Sequence, residues 1–163
     1  MHYRSSAVTK EPSHHIFASA LQFYALAKPA LDDDIKLQEN VMAVVCNLAL
    51  CIELLLKCSD SGVKTFPAQP GGLIGDAEIY SNVRGHDLEK IFSNLDTGIT
   101  NKLEMLFKNA TGKELKPLLA RCKDYFVHAR YSYEPQSGHC YHVSEIQELA
   151  EGLITSIHNW YSA

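Results

Sequence analysis

Apolar residues recur along this chain at the three- and four-residue spacing of amphipathic helices, in five or six separate segments. Ser13 can cap a first helix in which Ile16, Phe17, Ala20, Leu21, Phe23, Tyr24 and Ala27 share that spacing, and Pro29 should close it. Asp32, Asp33 and Asp34 suit the positive end of a second helix running to about Lys57 or Cys58. Its second half, VMAVVCNLALCIELLL from Val41 to Leu56, is apolar almost all round, so other helices should cover it on several sides. The run is shorter than the ~20 residues a bilayer crossing needs and is interrupted by Asn47 and Glu53, which favours the central helix of a soluble protein.

From Ser59 to Gly85 the pattern breaks into Gly- and Pro-rich sequence. A loop this long in a compact domain is functional, disordered or hides a short element, and LIGDAEIY, around Gly75-Asp76, fits a small hairpin. Helix is expected again from His86, from about Gly98, and from near Pro117 through RCKDYFVHARYSYE (Arg121 to Glu134). Ser144 with Gln147 three residues on forms a capping-box pattern for a last helix. The expected fold is therefore all-α: one domain over residues 1–163, an antiparallel bundle of five to six helices with a long loop between the second and third.

At 163 residues, the chain is long enough to bury a core without metals or cross-links. A formal net charge of -4 excludes a global positive field for collecting nucleic acid, so any such contact needs a local patch. Lys113, Lys116, Arg121 and Lys123 supply the one candidate, diluted by Glu114 and Asp124. Five cysteines form an odd set without CxxC spacing, mostly in apolar helical segments, and MHYRSSAVTKEPSHH does not read as a signal peptide. Both points favour the cytoplasm.

On a continuous helix, Leu118, Cys122, Tyr125, Phe126, Ala129 and Tyr133 fall in one core stripe about 100 degrees wide. Arg121 and His128 project along one edge of it, within about 20 degrees and roughly 10 Å apart along the axis. They could serve one phosphate, the arginine holding a non-bridging oxygen and the imidazole moving a proton. Arg130 and Glu134 lie along the other edge, as a structural i, i+4 pair or with Arg130 over aromatic surface. Glu53 precedes Lys57 by one turn in the favourable order, but its apolar setting demands a further partner, with His86 or Arg130 leading. His139, Cys140 and His142, even with His14 and His15, match no familiar zinc spacing, and PGGLIGDA lacks the lysine of a phosphate loop. No metal and no cofactor are expected.

Three segments in order, NLALCIELLLKC (Asn47 to Cys58), GHDLEKIFSNL (Gly85 to Leu95) and FVHARYSYE (Phe126 to Glu134), resemble the HEPN-like domains, the "higher eukaryotes and prokaryotes nucleotide-binding" superfamily. The resemblance covers about half the chain. It implies an antiparallel bundle that pairs as a homodimer. Many members are metal-independent ribonucleases, often toxins or antiviral effectors, with an Arg followed by four to six residues and a His, two such motifs meeting across the dimer. Others lack the motif and bind RNA or proteins.

Two positions compete for the family arginine. Arg121 with His128 has the spacing but carries Cys122 where active members have a polar residue; Arg130 has the better context but is followed by Pro135, Gln136 and Ser137 where a histidine should fall. The first expectation is thus a non-catalytic or weakly catalytic module that binds RNA, nucleotide or a protein partner. Its binding residues would be Arg130, Glu134, His86, Glu53 and Lys123, near Arg121 and His128. The alternatives are a metal-independent ribonuclease using Arg121 and His128, and a purely structural dimerisation domain for a partner such as a nucleotidyltransferase-like protein. No membrane partner is expected.

Overall fold

Ser13 starts the first helix as its spacing predicts: Oγ accepts the Ile16 N–H at 3.4 Å at the head of α1 (His14–Leu31). The computed structural model describes residues 10–68, 70–72, 75, 77–133 and 140–163. Pro29 does not close α1 but lies within it, since its fixed φ suits a helix and near the end only one backbone bond is forfeited. Asp33 then caps α2 (Asp34–Ser59), with Oδ1 accepting the N–H groups of Ile35 and Lys36, each at 3.1 Å. Those bonds hold the Asp33 carboxyl below its ordinary pKa.

Helix α2 kinks at Asn40 (φ -124°, ψ 18°), where the side-chain amide donates to the Lys36 carbonyl at 2.8 Å and competes with the backbone ladder. Beyond the kink Val44, Val45, Leu48, Ile52, Leu55 and Leu56 are buried. Among the described residues α2 is the one helix long and apolar enough to cross a membrane by length and composition, with a mean hydropathy of 2.1 over an 18-residue window. In this fold that surface is spent on other helices: α1, α3 (Leu88–Ser93), α6 (Tyr125–Arg130) and α7 (Val143–Tyr161) all pack on it.

The stretch after α2 does hide an element, larger than the expected hairpin around Gly75-Asp76. Strands β1 (Ser61–Thr65) and β2 (Ala77–Ser81) pair antiparallel, with Val63 opposite Ile79 and Thr65 opposite Ala77. Its first strand, SGVKT, lies outside LIGDAEIY; Leu73, Ile74 and Asp76 lie outside the described residues. The ribbon is rooted by Asn82, whose N–H donates to the Asp60 carbonyl at 2.9 Å and whose amide donates to Asp60 Oδ1 at 2.6 Å.

The remaining helices are α4 (Thr97–Thr111) and α5 (Leu115–Cys122). The chain is mostly helical, with a small ribbon added to the expected all-α pattern. The third helix begins two residues after His86, at the Asp87 cap, whose carboxylate accepts the Lys90 N–H at 3.0 Å. The Ser144 capping box does not form: the N-cap of α7 is His142, two residues ahead of Ser144, and it makes no side-chain cap. The single helix expected through RCKDYFVHARYSYE is broken at Lys123 and Asp124 into α5 and α6, where the Lys123 carbonyl accepts the Leu88 N–H at 3.3 Å. Leu118, Cys122, Tyr125, Phe126 and Ala129 still face the core, but Tyr133 lies past the end of α6 and is 78% exposed.

Helix α7 closes the bundle. Its Tyr161 hydroxyl donates to the Pro12 carbonyl at 3.1 Å, and Tyr24 of α1 donates to Glu151 Oε1 at 2.7 Å. Gly152 lets α4 lie directly against it, because a methyl there would run into the Phe107 ring and the Thr111 methyl.

Candidate functional site

Glu53 is the one buried carboxylate among the described residues, with 6% of its side chain exposed among the leucines of α2. Two nitrogens meet it. Lys57 Nζ stands 2.6 Å from Oε1 and His86 Nδ1 2.8 Å from Oε2. Lys57 also donates to the Gly85 carbonyl at 3.1 Å, so the pair clamps the turn ahead of α3 to the central helix. Gly85 has φ +99°, which an L side chain rarely adopts, and this reversal presents His86 to the carboxylate. Of the two partners the sequence offers Glu53, His86 is the one that meets it.

Arg130 goes elsewhere. Its guanidinium lies over two rings of its own segment, Phe126 at 5.9 Å and Tyr131 at 5.5 Å, and makes no ion pair among the described residues. Glu134, its expected i, i+4 partner, lies outside those residues. His86 packs on the same Phe126 ring from the other chain segment, centroid to centroid 5.0 Å. One buried phenyl thus organises an imidazole and a guanidinium. An ionised carboxylate only accepts, so opposite such a group His86 Nδ1 is the donor of the 2.8 Å contact. Cys46 joins this wall, its Sγ donating to the Phe126 carbonyl at 3.8 Å. Burial pushes the Cys46 thiol up although the Arg130 cation pulls it down.

The expected pair of Arg121 and His128 stands on two different helices, so the shared edge computed for one continuous helix does not exist. Arg121 is exposed and donates from Nε to Glu145 Oε2 of α7 at 3.1 Å; His128 is half-buried on α6. The other members of the basic surface are likewise matched: Lys113 with Glu148 at 2.7 Å, Lys116 with Glu104 at 2.7 Å, and Lys123 with Glu89 at 3.2 Å. Four carboxylates neutralise the four cations. The sequence did not signal these pairings, because the acids come from other helices, 24 to 35 residues away for Arg121, Lys123 and Lys113.

Cys51, Cys58 and Cys122 are buried, and burial holds each thiol protonated, with pKa values pushed up to about 12. Cys140 is exposed. Among the described residues no three His, Cys, Asp or Glu side chains stand together as a metal site. His139 lies outside those residues, and His14 is stacked on Tyr161 with ring centroids 4.1 Å apart. Tyr141 packs edge-on to Tyr125 at 5.2 Å, and its hydroxyl is buried without a hydrogen-bond partner. No family profile, curated relative or solved structure matches this chain.

Proposed function

We propose that this chain is a HEPN-like, non-catalytic binding module of the cytoplasm, acting as a homodimer, which holds a phosphate of an RNA or nucleotide against the face formed by His86, Phe126 and Arg130. The observation that carries the reading is the contrast between its cations. Those of the basic surface around α5 are each spent on a carboxylate, whereas Arg130 rests on aromatic rings with its donors uncommitted to any acid among the described residues. A guanidinium held this way presents planar donors suited to phosphate oxygens. Lys57 and Glu53 cancel locally, leaving the face with a positive balance. Tyr131 lies under the Arg130 guanidinium, and Tyr133, 78% exposed and edge-on to Tyr131 at 6.4 Å, offers a surface on which a base can stack. The ribonuclease alternative draws less support, since Arg121 would have to leave Glu145 to meet a phosphate.

The test is fluorescence anisotropy of a labelled single-stranded RNA in EDTA. Arg130→Ala should weaken binding about tenfold or more, the scale of a lost charge-assisted hydrogen bond, and Arg121→Ala should change it less than about twofold. The RNA should remain intact. Equal losses in the two variants, or cleavage that disappears in Arg121→Ala and His128→Ala, would overturn the reading.

A further inference from the structure

The hydrogen-bond phase of the β1–β2 ribbon is set at its root. Asn82 N–H donates to the Asp60 carbonyl at 2.9 Å, one step beyond the Ser61–Ser81 pair, so the directly bonded pairs are Gly62 with Tyr80 and Lys64 with Glu78. The N–H and C=O groups of Ser61, Val63 and Thr65 on β1, and of Ala77, Ile79 and Ser81 on β2, therefore point away from the ribbon. On β1 that edge is closed at its inner end, where Lys10 Nζ stands 2.6 Å from the Ser61 carbonyl and Ser61 is 6% exposed. On β2 Ala77, Glu78, Ile79 and Tyr80 are all exposed. Sheet edges are ordinarily blunted by lysine, proline or a bulge, and AEIYS has none of the three.

This strand is also complementary to itself. Only outward-facing residues can bond across the edge, so a two-fold antiparallel pairing must place a residue on its axis. With Ile79, the middle residue of β2, on that axis, Ile79 meets Ile79 of a second copy and Ala77 meets its Ser81, all residues of the outward set. Glu78 then stands opposite Tyr80 of the second copy. An axis through Glu78 would set two carboxylates face to face, which is destabilising, and one through Tyr80 would shorten the overlap. On one surface the Ile79 register aligns Val63, Ile79, Ile79 and Val63 in a β-branched row, from residues 58% and 37% exposed in the single chain. On the other surface the Tyr80 ring lies over Gly62, with Lys64 Nζ 5.5 Å from its centroid, so a cation waits beside the place where Glu78 of the second copy arrives. We propose that two copies of this chain join β2 to β2 about Ile79 in one antiparallel sheet. The proposal rests on the homodimer of the functional reading and assigns its interface.

The test combines sedimentation equilibrium with amide exchange read by ¹H–¹⁵N NMR on dilute and concentrated samples of the full chain. The Ile79 amide should exchange about tenfold or more slowly in the concentrated sample, while the Val63 amide, which points outward from the other edge, should not change. Ile79→Lys sets two like charges on the axis and should weaken self-association by about tenfold or more. Ile79→Pro removes an N–H that the ribbon itself does not use, so it should weaken self-association while leaving the Gly62, Lys64, Glu78 and Tyr80 amides protected. Dimers that persist in both variants, or slowing at Val63 in place of Ile79, would overturn this edge and leave the homodimer standing. A chain that sediments as a monomer at every concentration would overturn both. Single-stranded RNA binding by Ile79→Lys should still be lost with Arg130→Ala, which keeps the phosphate face a separate question.

Discussion

A carboxylate set among leucines stays charged only if cations or donors are held against it. Glu53 meets this demand with Lys57 from its own helix and His86 from the turn it clamps. Replacing Glu53 with Ala should leave Lys57 with the Gly85 carbonyl alone and release His86, lowering stability by about 1–3 kcal/mol in urea denaturation. This cluster was legible in the sequence because one member is local, at i, i+4, and the apolar context calls for another. The seat of Arg130 on Phe126 was legible only as one option among several. The pairing of Arg121 with Glu145 was not legible at all, since nothing in a linear reading says which acidic residue of another helix will face a given arginine.

Helices were read well where periodicity agreed with a cap, as at Ser13, or with an acidic start, as at Asp32 to Asp34, and less well where tertiary bonds set the boundary. The break between α5 and α6 is of the second kind: the Lys123 carbonyl accepts from Leu88, a residue with no local relation to it. Its effect on the candidate site is large, for it removes the common helix on which Arg121 and His128 would have been aligned. The ribbon was half-read for a similar reason, as SGVKT has no partner until residues 77–81 are brought beside it. The contact between α4 and α7 offers a direct check at this scale. Gly152→Ala should place a methyl against the fully buried Phe107 ring, and overpacking of this sort costs about 1–3 kcal/mol. Thermal unfolding of the variant measures it, and an unchanged midpoint would mean that the two helices have room to separate.

At the scale of the molecule, a formal net charge of -4 and a basic surface matched by acids leave little long-range attraction for a polyanion. Binding of single-stranded RNA through the Arg130 face should therefore depend weakly on salt. With about two phosphates engaged, the slope of log K against log salt should be near -1.4, and a slope steeper than about -4 would point to a broad electrostatic surface instead. The arrangement of the bundle also bears on how the chain comes to be folded. Helix α2 is its most apolar segment, yet α7, one of the helices that cover it, ends at Tyr161, whose hydroxyl is bonded back to Pro12. During synthesis on the ribosome α2 emerges long before α7, so its apolar surface stays without that cover until nearly the whole described chain has been made. Completion of the fold is a late event, and until then a chaperone or an unrelated nascent chain competes with α7 for the same leucines.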